Sequence, residues 1–405
     1  VRLDFAYCDR LIGKAIGNDL IRQIVQSLEM EIVAEDAEGL MLSVPAYRTD
    51  VQRPCDVVED ILRIYGYNNV EIPTQLKSSL TIQGEEDGEY KLQNIISEQL
   101  VGCGFNEILN NSLTKVGYYE EAGLNHYPWE QSVRVMNPLS ADLGMMRQTL
   151  LFGGLESILR NANRKNPNLR FFEFGNCYHY HQDRWSIENP AKAYTEECHL
   201  GMWVTGKRVT GSWAHPDEES TFYELKAYVQ NVFARVGLAT GMRVVEQSDN
   251  NIFAKALAVK NRGGKIIAEL GVLSHKLQKQ ADIAAPVYFA DINWTLLMKT
   301  VRKNKLEYQE ISKFPAVSRD LALLIDRSVQ FAQIEEVARQ TEKKLLKKVE
   351  LFDVYEGKNL PAGKKSYAVN FILQDDSRTL NDKAIDAIMT KLINNIKNKL
   401  GAELR

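Results

Sequence analysis

Apolar positions recur along this chain with two periods, and the switches between them mark its elements. Leu20, Ile21, Ile24 and Val25 fall at helical spacing and predict a helix over Asn18–Ser27. Short apolar runs at 31–35 and 39–45 read as strands. A second helix is expected from about Asp56 to Tyr65, with Val57, Ile61 and Ile64 as its apolar stripe. Gly66 stops it, and Pro73 closes a first unit of residues 1–75. The polar stretch 76–88 reads as a linker.

Residues 76–302 form the second unit. Leu92, Ile95, Ile96 and Leu100 predict an amphipathic helix over about 90–101. FNEILNNSL reads as strand-like, and VRVMNPLS as a strand ending in a turn at Asn137-Pro138. A helix is expected from Leu151 to Asn163, followed by the strand RFFEFGNCYHY and another at LGMWVTG. Phe222, Leu225, Tyr228, Val229, Val232 and Phe233 predict a helix over 222–236. AKALAVKNRGGKIIAELGVLS reads as a hairpin turning at Arg262-Gly263-Gly264, and VYFADINWTLL as a strand running into a short helix.

A charged linker at 303–314 leads to a third unit, 312–405. SRDLALLID, LKKVELFDVYEG and KSYAVNFILQD alternate with period two. In LKKVELFDVYEG the alternating set is Val349, Leu351, Asp353 and Tyr355. Helices are expected over 331–341 and 381–400, which gives a βαββα rhythm of ferredoxin-like order.

Composition changes this picture little: 44% hydrophobic and 25% charged residues describe a globular chain. No apolar run approaches the ~18 residues of a membrane span, and no signal peptide is expected. Val1 opens directly into strand-like sequence, as expected of an excised piece of something longer. The five cysteines show no C-x-x-C pair, which suggests free thiols in a reducing compartment. His179 and His181 share one face of a strand and read as ordinary surface histidines. Charge is uneven. Residues 312–405 carry 17 Lys and Arg against 13 Asp and Glu, a net of +4, whereas the rest carries a net of −7. A basic module on an acidic body hints at a polyanionic partner.

Candidate chemistry gathers in RTDVQRPCDVVED, which holds Asp50, Asp56, Glu59 and Asp60. The last three lie at i, i+3 and i+4, on one helix face, whereas Asp50 approaches from before Pro54. Oxygen ligands from two segments suit a hard cation such as Mg²⁺. The bland reading is a capping box, with Asp56 opening the helix and Glu59 three residues on. That reading leaves Asp50 unexplained.

Taken together, these motifs resemble a family. VPAYRTDVQRPCDVVEDILRIYGYNNV resembles the phenylalanyl-tRNA synthetase beta-subunit domain that abuts the alpha subunit's active site. NPLSADLGMMRQTLLFGGLESILRNANRKN with RFFEFGNCY resembles that subunit's synthetase-like core, and ISKFPAVSRDLALLID through FILQDDSRTLND its anticodon-binding domain. The resemblance implies a multidomain α+β chain: a winged-helix-like N-terminal domain, a class II synthetase-like antiparallel-sheet core and a ferredoxin-like anticodon-binding domain. It implies Mg²⁺ on Asp50, Asp56, Glu59 and Asp60, although Asp60 stands where the family commonly has Glu.

It also implies an alpha-subunit partner in an alpha-two beta-two tetramer, tRNA(Phe), ATP as substrate of the whole enzyme, and a cytoplasmic location. Arg147 and Arg170 are the core's motif-like arginines, but no G-x-G-x-E-R-like string follows Gly201. The core is therefore expected to be pseudo-catalytic, with no catalytic residue in this chain. Arg319, Lys364, Lys365 and Arg378 are the expected phosphate contacts of the last module, with Tyr355 and Tyr367 as candidate stacking residues. A stand-alone nucleic-acid-binding regulator is the rival reading, and a self-sufficient class II synthetase a second rival. Residues 1–405 contain no counterpart of the family's editing domain.

Overall fold

The computed structural model describes residues 1–72, 75, 84–123, 126–238, 242–247, 251–304, 308, 310–358 and 360–405. Pro73 and most of the expected linker at 76–88 lie outside them. The chain divides into two compact units, Val1–Ser97 and Glu98–Arg405.

The first unit opens with β1 (Arg2–Asp4), α1 (Phe5–Ile12), α2 (Asn18–Ser27), β2 (Glu31–Glu35), β3 (Gly39–Ser43) and α3 (Pro54–Tyr65). The strands pair antiparallel in the order β1-β3-β2, and the helices close one core in a winged-helix-like arrangement. Phe5, Cys8, Ile21, Ile24, Val25, Leu40, Val57 and Ile61 fill it. The helix α3 departs from expectation at both ends. It begins at Pro54, so Asp56 sits at its third residue rather than at its cap. Ile64 is 55% exposed, and the buried stripe is Val57, Val58 and Ile61. Gly66, at φ 94°, ends the helix as expected.

The helix α4 (Glu85–Gly102) starts five residues earlier than its apolar stripe suggests. The second unit continues with β4 (Asn106–Glu107), β5 (Leu113–Thr114), α5 (Gly117–Ala122), β6 (Met145–Met146), α6 (Leu151–Asn163), β7 (Leu169–Tyr180), β8 (Tyr194–Thr205), β9 (Lys207–Val209), β10 (Glu218–Glu219) and α7 (Phe222–Arg235). Then come β11 (Arg243–Gln247), β12 (Phe253–Lys260), β13 (Ile266–Leu273), α8 (His275–Gln280), β14 (Val287–Asn293) and α9 (Trp294–Val301).

A seven-stranded sheet in the order β11-β12-β13-β14-β8-β7-β4 forms the scaffold. It is antiparallel except at its edge, where β4 pairs parallel to β7. The hairpin β12–β13 turns at Asn261–Lys265 with Gly264 at φ 78°, as its glycines predict. One sheet face carries Trp203, Phe289 and Phe253, against which α6 lays Leu151, Phe152, Leu155 and Ile158. The approach is close: a Cβ on Gly154 would collide with the Trp203 indole. The helices α7 and α9 lie against β8, β13 and β14.

Two expected strands shrink. VRVMNPLS retains a single bridge, Arg134 to Met145, and FNEILNNSL retains only the two residues of β4. Leu109, Met136 and Leu139 are 88, 91 and 97% exposed, so their apolar character builds no core. His179 and His181 are half-buried rather than ordinary surface residues, and the His181 ring lies 2.9 Å from Thr195 Oγ1.

The last module comprises β15 (Val317–Asp326), α10 (Phe331–Thr341), β16 (Leu346–Tyr355), β17 (Lys364–Leu373), α11 (Asp382–Leu400) and β18 (Glu403–Leu404). The sheet order β16-β17-β15-β18 is ferredoxin-like. The sequence rhythm misses β18, whose two residues pair with Leu323 and Leu324. Ile325, Val369, Phe371 and Leu373 pack with Ile334, Ile385, Leu392 and Ile396 in a separate core. The final helix is capped by Asn381, whose side chain accepts from the Ala384 N–H at 2.9 Å.

Candidate functional site

Arginine organises the acidic cluster of the first unit. The Arg48 guanidinium donates to both oxygens of Asp50, at 3.2 and 2.9 Å, and to Asp60 Oδ2 at 2.5 Å. Arg63 donates to the other oxygen of Asp60 at 3.2 Å. Asp60 is 4% exposed, so its charge is taken out of water and met on both sides. The hydrogen bond from Arg48 holds the Asp50 carboxyl below the usual carboxylate range.

Asp56 does different work. Its Oδ2 accepts the backbone N–H groups of Gln52 and Arg53 at 3.0 and 2.8 Å, and the Arg53 side chain reaches Oδ1 at 3.1 Å. Those bonds, the Arg53 side chain first, hold its carboxyl well below the usual range. The carboxylate thereby satisfies donors that the helix start leaves open. Glu59 stands exposed on the next turn.

Asp50 and Asp60 are thus joined through Arg48, whereas Asp56 turns to the helix start and Glu59 to solvent. Their oxygen chemistry suits a hard cation, but arginine already offsets their mutual repulsion. No three His, Cys, Asp or Glu side chains among the described residues are arranged to hold a metal ion. Arg48 is the residue that spacing arguments missed. It lies two residues before Asp50 but twelve before Asp60, and no periodic rule joins it to both.

In the core, Arg147 is 6% exposed and ion-paired at 2.7 Å to Glu173, which is fully buried. It also donates to the carbonyls of Asn176 and Asn110 at 2.9 and 3.2 Å. Arg170 pairs with Glu224 at 3.0 Å and donates to the Arg208 carbonyl. Both motif-like arginines are bound up in the packing of the fold.

On the last module, Arg378 is open to solvent (76% of its side chain) beside Asp375, and Arg319 is 42% exposed. Lys364 is tied to Glu403 at 2.5 Å. Lys365 is only 7% exposed and lies 4.6 Å over the Tyr367 ring, which is itself buried. Tyr355 is partly exposed, with the Arg405 guanidinium 5.3 Å from its ring centre. Phe352, passed over by the alternation, is 59% exposed because a β-bulge between Leu351 and Asp353 shifts the register.

A helical acidic module, a seven-stranded sheet with helices on its faces and a split-βαβ module in one chain define a multidomain protein of the aminoacyl-tRNA synthetase class. Family models agree: "tRNA synthetase B5 domain" matches residues 1–67, "Phenylalanyl tRNA synthetase beta chain CLM domain" 72–294 and "Ferredoxin-fold anticodon binding domain" 312–405. The chain belongs to the phenylalanyl-tRNA synthetase beta-chain family.

It is 61% identical over 405 residues to a phenylalanine–tRNA ligase beta subunit of Bacteroides thetaiotaomicron, covering 100% of this chain and 49% of that protein. The corresponding subunits of Porphyromonas gingivalis and Fusobacterium nucleatum are 51% and 30% identical, again with all of this chain and 49% of theirs. The chain therefore spans about half the length of the curated relatives it matches.

Proposed function

We propose that this chain is a beta-subunit portion of phenylalanine–tRNA ligase. In this reading it supports ATP- and Mg²⁺-dependent aminoacylation of tRNA(Phe) by an alpha subunit, in a cytoplasmic alpha-two beta-two enzyme. The observation that carries the supporting role is the state of the core's arginines. Electrophilic catalysis needs a guanidinium aimed at the developing charge, and Arg147 and Arg170 are instead paired with Glu173 and Glu224.

The last module supplies tRNA contact. Arg378 and Arg319 are placed to meet phosphates, while Phe352 and Tyr355 are exposed enough to stack on unpaired bases. Lys364 and Lys365 are secondary candidates, held by Glu403 and by burial. Asp50, Asp56, Glu59 and Asp60 would hold Mg²⁺, whose charge would steady the first unit at a subunit boundary; the ion competes with Arg48 for Asp50 and Asp60.

Co-purification with the alpha subunit, metal analysis of the complex and ATP–pyrophosphate exchange test the reading together. The expected result is a stable complex that carries Mg²⁺ and exchanges, with no exchange by this chain alone. Exchange by the isolated chain would overturn the supporting role. A preference for duplex DNA over tRNA(Phe) would favour a nucleic-acid-binding regulator instead.

A further inference from the structure

A second polar site lies in the core, away from the acidic helix and the basic module. On the sheet face, β7, β8, β13 and β14 bring His179, Glu197, His199, Glu269 and Asp291 around a cavity of about 230 Å³, and His126 and Gln148 complete its wall. That is the room of about seven water molecules. No Lys or Arg lines it. These residues are up to 165 positions apart in sequence, between His126 and Asp291, and only the sheet order joins them.

The internal pairings leave defined atoms over. His199 Nδ1 is 2.6 Å from Asp291, and its Nε2 stands 3.9 Å from Glu197 without a hydrogen bond. His126 pairs with Glu269 at 3.0 Å. Gln148 is 1% exposed and gives its N–H to the Pro128 carbonyl at 3.3 Å, while its Oε1, buried at the cavity wall, has no partner. A buried amide oxygen without a donor is a group that native proteins rarely leave unmet.

Charge points the same way. Burial disfavours a charged His199, but Asp291 and Glu197 outweigh burial and hold it at about 10. The hydrogen bond with Glu269 raises His126, and burial lowers His179 and keeps it neutral. Three carboxylates thus face at most two imidazolium ions, and the cavity is net negative. No three of these side chains are arranged around a metal ion, so an organic cation is the better fit.

We propose that this cavity binds a small organic cation through a primary ammonium group, which donates to Gln148 Oε1 and sits among the surplus carboxylate charge. An ammonium supplies the missing donor and the missing positive charge at once. Water supplies only the donor.

The test is calorimetric titration of the 405-residue chain with three probes of one shape: n-butylammonium, 1-butanol and butyrate. Proton NMR of ¹³C-labelled histidine is read alongside. Butylammonium is expected to bind at least about tenfold tighter than 1-butanol, as a charge-assisted hydrogen bond implies. It should shift the His126 and His199 signals, and butyrate should not bind. Gln148→Leu and, separately, Glu269→Gln should each weaken butylammonium binding about tenfold; should one variant fail to fold, the other carries the test. No histidine shift with butylammonium, equal responses to the three probes, or full affinity retained in a folded variant would overturn the proposal and leave a water-filled cavity.

Discussion

Arg48 and Arg147 each neutralise a buried carboxylate, in different ways. Arg48 gathers Asp50 and Asp60 from one short stretch of chain, and Asp50 remains 67% exposed. Arg147 meets Glu173 in a place where neither touches water, 26 residues away and across the packing of α6 on the sheet. The first arrangement can rearrange, because solvent or an ion can take over either partner. The second cannot, because an unpaired charge there has no alternative partner.

The largest effect should follow from breaking the buried pair. Arg147→Met leaves Glu173 uncompensated and should cost about 3–5 kcal/mol, read from denaturant unfolding. Adding Glu173→Leu should return most of that loss. A single variant within 1 kcal/mol of the parent would show that the pair is not isolated from water.

Next in size is Gly154→Ala. Its methyl group collides with Trp203, and overpacking of this kind costs about 1–3 kcal/mol. An unchanged melting temperature would mean that α6 can shift off the sheet. Arg48→Ala should lower the melting temperature by less than Arg147→Met does. It should also strengthen Mg²⁺ uptake at Asp50 and Asp60, read by metal titration, because it removes the competing cation. A larger loss of stability than in Arg147→Met would reverse the contrast.

His199 contributes a pH-dependent term. Its folded value of about 10 lies above the unfolded one, so its stabilisation is full below about pH 6.5 and is lost as pH rises through 10. The parent should therefore lose more stability between those limits than His199→Gln. Parallel melting curves would remove the charged pairing with Asp291. The smallest effects belong to the basic module. Arg378→Ala and Arg319→Ala should each weaken tRNA(Phe) binding modestly and lower the salt slope by about one, without moving the melting temperature. An unchanged slope would mean that neither side chain meets a phosphate.

Much of the fold was legible wherever a periodic stripe coincided with burial. The helices α2, α6, α7, α10 and α11 and the hairpin β12–β13 follow from local pattern. Errors came where apolar residues stay exposed, as at Ile64, Leu109 and Met136, or where a bulge breaks alternation, as at Phe352. The strand β18 is too short to show a period, and its pairing with Leu323 and Leu324 is non-local. The acidic cluster was visible as spacing, but its counter-charge was not. Arg48 reaches Asp60 only because the 44–53 segment folds back along α3.

The sequence by itself determined the order of modules, their helical and extended stripes and the family to which they belong, because each is written in residues near one another. Tertiary structure alone decided which charges meet. It turned Asp56 into a helix-start acceptor, buried Lys365 beside Tyr367, tied Arg147 to Glu173 and drew three histidines and three carboxylates around one cavity. The physical reason is that secondary structure follows from local sterics and hydrogen bonds, whereas the strength of a charge pair depends on separation in space and exclusion of water. Both are set by packing between distant parts of the chain.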